Sequence, residues 1–159
     1  MLVNGGGIRG DRIYDPGTIL RRKGILTELP FGNQMVVTEL PGRQILAALA
    51  NGFSRAGTGA GWFPRIAGMH VVGDPTAPPM ARLSRASVAG KPLDPDRIYR
   101  LATNDYTLSR GDGSGALGGG RVVVDKGNGR RMANDVIAYI RAIKTVKIHP
   151  DGRISKLGD

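Results

Sequence analysis

Three consecutive glycines, Gly5, Gly6 and Gly7, stand near the start of the chain in the stretch "NGGGIRG". Glycine loses more backbone freedom on folding than any other residue, so such a run belongs where the chain must turn with φ > 0 or pass close to something. Two readings fit it. In one, backbone N–H groups approach a polar or anionic ligand, with the Asn4 amide and the Arg9 guanidinium on either side. In the other, the run is a tight strand-to-loop turn and Arg9 joins an ordinary salt bridge.

The rest of the composition narrows the choice. A chain of 159 residues, 40% hydrophobic, suggests one domain with a proper core. Cysteine is absent, which excludes disulfides, thiolate catalysis and thiolate metal sites. His70 and His149 are the only histidines and have no ligand spacing; they read as a strand residue and a surface residue. No apolar run approaches the ~20 residues of a membrane span, and the first residues lack the pattern of a signal peptide. The net charge of +10 favours anionic partners. Yet the charge is scattered as single arginines, with pairs at Arg21-Arg22 and Arg130-Arg131, and aromatics make up only 5%. That is too sparse for an extended base-stacking platform. A nucleic-acid partner is therefore not expected, and a small phosphorylated ligand or an arginine-rich surface is.

Periodicity places the elements. "MLV" reads as the end of a strand running into the glycines. "RRKGILTELPF" reads as a helix with Ile25, Leu26 and Leu29 on one side, stopped by Pro30. "NQMVVTEL" is a strand. "PGRQILAALANGFSR" is the clearest helix, with Ile45, Leu46, Leu49 and Phe53 on one face after Pro41. "AGTGAGW" is a glycine-rich loop, and "RIAGMHVVGD" a strand with an internal glycine, hence a bulge or close approach. "ARLSRASVAGKPLDPDRIYRLATND" reads as two strands around turn chemistry. "YTLSRGDGSGALGGG" is a second glycine-rich loop, and "RVVVD" a short buried strand. "RRMANDVIAYIRAI" is a helix with Met132, Val136, Ile140 and Ile143 in register, and "VKIHPDGRIS" a hairpin or extended tail. The interspersed order, with short turns between several strands, predicts an α+β fold: a mixed β-sheet with packed helices.

The G-x-G-x-x-G match at Gly113, Gly115 and Gly118 lacks the strand before it and the helix after it that a dinucleotide fingerprint requires. There is neither a P-loop nor a nucleophile elbow. Three other stretches each set an aromatic residue beside glycine and a polar side chain: "LPFGN" at 29–33, "GWFPRIAGM" at 61–69 and "NDYTLSRGDG" at 104–113. Singly, each could be a loop anchor packed on the core.

Together and in this order, "NGGGIRG", "LPFGN", "FPRIAGM", "GKPLDPDRIYRLATNDY", "GDG" and the final "DGRI" resemble the C-terminal domain of the 5'-nucleotidase family over essentially the whole chain. The resemblance implies a substrate-recognition domain spanning 1–159, for a hydrolase engaged in nucleotide catabolism. Asn4 and Arg9 would contact the ribose and phosphate side. Phe31 and Tyr106 would clamp the base, Asn33 would touch its edge, and Asp112 would accept from the ribose hydroxyls. The partners implied are a nucleotide or nucleoside and an N-terminal metallophosphatase domain of the same protein. That domain carries a pair of divalent metal ions, and this chain holds no cofactor of its own. Alone, the chain is expected to hydrolyse nothing. A periplasmic or cell-surface location is implied as well. UDP-sugar hydrolases, 2',3'-cyclic-nucleotide phosphodiesterases and thiosulfohydrolases share the architecture, and a stand-alone binding module is a further alternative. Three departures stand out: Tyr106 where phenylalanine is common, Arg110 before "GDG" in place of glycine, and no metallophosphatase domain or connecting helix in this sequence.

Overall fold

The computed structural model describes residues 1–158. Among these residues nine strands fall into three small sheets, with four α-helices packed among them. The α+β class stands, but the single expected sheet is divided.

The first sheet pairs β1 (Leu2–Asn4) with β3 (Pro64–Ile66), antiparallel. The second has the order β7-β2-β8, with β2 (Met35–Pro41) between β7 (Ile98–Asn104) and β8 (Arg121–Val124). Val36, Thr38 and Leu40 of β2 point inward, and the residues between them face outward, the alternation of a sheet with one covered face. On the outer face Glu39 lies opposite Arg100 and Arg121 and accepts hydrogen bonds from both. The third sheet has the order β6-β5-β4-β9: β6 (Lys91–Pro92), β5 (Leu83–Val88), β4 (His70–Gly73) and β9 (Ile154–Lys156). Here β9 runs parallel to β4, so this sheet alone is mixed.

The central helix is α2 (Gly42–Ser54). It buries Ile45, Ala48, Leu49 and Phe53 in one cluster with Leu40, Leu101, Met69, Val71 and Ala86, and so joins the second and third sheets. Its first turn hands two otherwise orphaned N–H groups to the 95–97 loop: Gly42 donates to the Arg97 carbonyl at 2.9 Å and Arg43 to the Pro95 carbonyl at 2.8 Å. At the other end the Arg82 guanidinium donates to the carbonyls of Ser54 and Ala56, a cation at the negative pole of the helix. The short helix α1 (Arg22–Glu28) buries Ile25, and α3 (Asp105–Leu108) follows β7 directly.

Several expectations need correction. The "RIAGMHVVGD" segment is two strands in two sheets, because Gly68 turns between them with φ +73°. The two strands read in 81–105 also belong to different sheets, and the turn between them contributes β6. "RVVVD" is not buried: β8 is an edge strand, and Val122 is 47% exposed. Helix α4 (Met132–Ile143) forms as read but buries only Ala133, with Ile143 exposed. The tail forms no hairpin. Instead Arg153 pairs with Asp151, holding that carboxyl down at about 2, and donates to the Ile66 carbonyl, so that β9 is laid along β4.

Candidate functional site

The strand register brings the conspicuous loops to one place. Met35 at the start of β2 lies opposite Asn104 at the end of β7. The "LPFGN" loop entering β2 and the "NDY" turn leaving β7 are therefore neighbours. They are stitched by Asp105 N–H to the Gln34 carbonyl and by Gln34 N–H to Asp105 Oδ1, both 3.0 Å. The end of β1 reaches the same corner, where Asn104 donates to Asn4 Oδ1 at 3.2 Å. There a cleft of about 620 Å³ opens, lined by Asn4, Arg9, Phe31, Asn33, Tyr106 and Asp112, together with Gly6, Gly7 and residues 60–62.

The glycine run forms the floor; it is the tight strand-to-loop turn of the second reading, and it is also a close approach of backbone to backbone. Gly5–Gly7 make a 3₁₀ turn without positive φ. Gly5 N–H donates to the Phe63 carbonyl at 2.9 Å and Gly6 N–H to the Gly61 carbonyl at 2.8 Å. A Cβ on Gly5 would stand 2.7 Å from the Phe63 carbonyl oxygen, and one on Gly61 would stand 2.8 Å from Gly6 Cα. Two backbones cross at contact distance, and only glycine permits it. The N–H groups of Gly5 and Gly6 thus hold the 61–63 loop. Arg9 makes none of the ion pairs found among the described residues. Its Nε donates to the Gly6 carbonyl at 2.7 Å, and its guanidinium lies over the Phe31 ring, 5.5 Å from the centroid.

Asn4 is buried, and both ends of its amide are engaged. Oδ1 accepts from Asn104 and from the Thr107 hydroxyl, and Nδ2 donates to Asp112 Oδ2 at 2.8 Å. Asn104 in turn caps α3 by accepting from Thr107 N–H at 2.7 Å. The second oxygen of Asp112 accepts from the Tyr106 hydroxyl at 3.1 Å, and its backbone carbonyl accepts from the Asn51 amide at 3.0 Å. Asp112 itself sits in the left-handed region, φ 53° and ψ 34°. Its neighbours explain the "GDG" spelling: a Cβ on Gly111 would enter the Tyr106 ring at 2.4 Å, and Gly113 has φ +72°. Partial burial, and then the bond to the Asp112 carboxylate, raise the Tyr106 pKa above its ordinary value of 10.0, so the hydroxyl is a donor at neutral pH.

Phe31 and Tyr106 are 57% and 46% exposed and both line the cleft, which therefore carries aromatic residues open to solvent. Phe31 precedes Gly32, whose φ of +68° makes the turn into β2. The Asn33 carbonyl accepts from Met132 N–H, tying the Phe31 loop to α4, and Asn33 is among the residues lining the cleft. Arg110, which stands where the family has glycine, is not among the residues lining the cleft, and its side chain lies beside Gly118. Trp62 and Phe63, neighbours in "GWFPRIAGM", separate. Trp62 lines the cleft under the Arg55 guanidinium, and Phe63 packs on Phe53 with centroids 5.1 Å apart. Ala60 joins the lining beside Gly61, the first residue of "GWFPRIAGM", though the sequence assigns neither a site role. The available signal was the glycine-rich "AGTGAGW" loop leading to the single tryptophan.

The cleft does not fit a metal ion. Its one carboxylate, Asp112, already receives a hydrogen bond on each oxygen, and no histidine lines it. Among the described residues no group of three or more His, Cys, Asp or Glu is placed to hold one. Nor is any helix among them long and apolar enough to cross a membrane.

Residues 1–119 match the family model for the 5'-nucleotidase C-terminal domain, and the chain belongs to that family. It is 34% identical, over 70% of its length, to the trifunctional nucleotide phosphoesterase protein YfkN of Bacillus subtilis, of which it covers 8%. It is 29% identical, over 96% of its length, to the 5'-nucleotidase of Diplobatis ommata, of which it covers 28%. The crystal structure of a 5'-nucleotidase precursor from Thermus thermophilus superposes with a TM-score of 0.88 at 33% identity, covering 99% of this chain and 31% of that one. The chain thus spans less than a third of the length of each of these proteins.

Proposed function

We propose that this chain recognises the nucleoside part of a nucleotide for a 5'-nucleotidase-type phosphohydrolase. In this reading the dimetal chemistry belongs to a separate metallophosphatase domain of the same protein. The observation that carries it is the make-up of the cleft: two exposed rings, one guanidinium and one fixed carboxylate around a common space. Exposed aromatic surface in a concave site is what a flat heterocycle covers, and stacking tolerates any base. The base lies between Phe31 and Tyr106 with Asn33 at its edge. Asp112, an acceptor when ionised, takes the ribose hydroxyls and repels the phosphate, which falls to Arg9. Asn4 serves from beneath by orienting Asp112. The names of the relatives, nucleotidases and a nucleotide phosphoesterase, agree with this reading. The two rings favour a nucleobase over the small sulfur substrate of a thiosulfohydrolase. Export to the periplasm or cell surface is part of the same proposal.

Calorimetric titration of the chain with adenosine and AMP tests it. Both are expected to bind, and Phe31→Ala is expected to weaken both by roughly tenfold or more, as the loss of one stacking partner requires. Absence of binding at millimolar ligand overturns the reading. The chain alone is expected to hydrolyse no AMP with or without divalent metal, and turnover that follows the chain through purification would assign it the chemistry too.

A further inference from the structure

We infer that the Tyr106 hydroxyl is a specificity-determining group: by holding Asp112 it makes the cleft select a vicinal diol, and it joins base recognition to sugar recognition in one side chain. The inference rests on the nucleoside reading above. Its own ground is the bond between Tyr106 and Asp112 Oδ1, which a phenylalanine at this position could not make.

An ionised carboxylate has about four lone-pair sites, two on each oxygen. In this cleft one site on Oδ2 is filled by Asn4 and one on Oδ1 by Tyr106. Each oxygen keeps one free acceptor, and the plane of the group is fixed by donors arriving from two different elements. Two free acceptors on adjacent oxygens match two hydroxyls on adjacent carbons. A carboxylate held on one side only can turn about its Cβ–Cγ bond and satisfy a single hydroxyl equally well. Asn4 supplies one restraint only: its Nδ2 donates to Oδ2 and not to Oδ1, while its own Oδ1 accepts from Asn104 and Thr107. The Tyr106 ring is itself held in place: it packs on Gly111, where a methyl group would stand 2.4 Å away, and its backbone N–H donates to Asp105 Oδ1. The same ring that stacks on the base therefore sets the angle of the carboxylate.

The test compares adenosine with 2',3'-dideoxyadenosine on the full chain, by calorimetry, in the parent, Tyr106→Phe, Asp112→Asn and the double variant. Tyr106→Phe keeps the ring and removes the hydroxyl. The affinity ratio of adenosine to dideoxyadenosine is expected to fall by roughly tenfold, the weight of one hydrogen bond to a charged group. In the Asp112→Asn background, Tyr106→Phe is expected to move the ratio no further. A role in stacking alone would shift both ligands together and leave the ratio as it was; that result overturns the inference while the nucleoside reading survives on Phe31→Ala. If the parent binds neither ligand, both fall. A ligand-free arm checks the contact itself. The NMR titration of the Tyr106 ring is expected to move to lower pH in Asp112→Asn, since the carboxylate contributes to the raised value; an unmoved titration overturns the inference whatever the binding data show.

Discussion

The two walls of the cleft are built differently. On the Asp112 wall, Asn4, Asn51, Asn104, Tyr106, Thr107 and Asp112 form a connected set of hydrogen bonds linking residues 108 positions apart, and Asn4, Asn104 and Thr107 within it are buried. On the Phe31 wall, an exposed ring lies on a turn made by Gly32, with the Arg9 guanidinium as its main companion. The first wall owes its geometry to burial and satisfied polar groups, the second to a cation–π contact worth ~0.5–1 kcal/mol at an exposed site. One wall is cross-linked by side-chain hydrogen bonds, and the other presents a ring with a cation–π neighbour.

Substitutions should separate the walls. The largest effect is expected from Asn4→Ala, which strips an acceptor from Asn104 and Thr107 and a donor from Asp112. A loss of roughly 2–4 kcal/mol in urea unfolding follows if two buried polar groups go unpaired. A loss below about 0.5 kcal/mol, the size of an ordinary surface substitution, would mean that the two walls do not differ in this way. Gly111→Ala comes next. Its methyl must displace the Tyr106 ring, at roughly 1–2 kcal/mol by analogy with overpacked cores, and near-ultraviolet circular dichroism should report the altered ring environment. On the other wall Arg9→Ala should change stability by less than about 1 kcal/mol yet lower the affinity for AMP more than for adenosine. Equal loss for both ligands would remove Arg9 from the phosphate end. The smallest effect is a control away from both walls. Hydrogen bonds from Arg100 and Arg121 hold the Glu39 pKa below its ordinary 4.5. A depressed carboxylate stabilises the fold above the unfolded value, and that contribution fades as pH falls through the folded one. The stability gap between the parent and Glu39→Gln should therefore close on acidification, with ligand affinity at neutral pH unmoved.

What the sequence revealed follows the same division between local and distant causes. Helices α1, α2 and α4 and strand β2 were readable because their periodicity is local. The burial of β8 and α4 was not, because an apolar pattern declares a face and not what covers it: Val122 sits on an edge strand, and α4 has little packed against it. The parallel pairing of β9 with β4 depends on contacts more than eighty residues apart, which no window contains. At the site, the motifs around Asn4, Phe31, Tyr106 and Asp112 named the lining residues. They could not say that Asn4 and Tyr106 both bond to Asp112, since that depends on where the loops meet. The glycine run shows the limit most clearly. Its composition announced a close approach but could not say to what; the partner is the glycine-rich loop at Gly61.

That crossing has an evolutionary consequence. A floor of glycine backbone against glycine backbone offers no side chain to exchange, and nearly any replacement at Gly5, Gly6 or Gly61 would push the two strands of chain apart before it altered the chemistry of the cleft. Drift in ligand preference is therefore confined to the rim, to positions such as Phe31, Asn33, Trp62 and Tyr106, where side chains can change while the crossing beneath them stays in place. A lineage adopting a new substrate would rewrite those four positions first and keep Gly5, Gly6 and Gly61 as its fixed text.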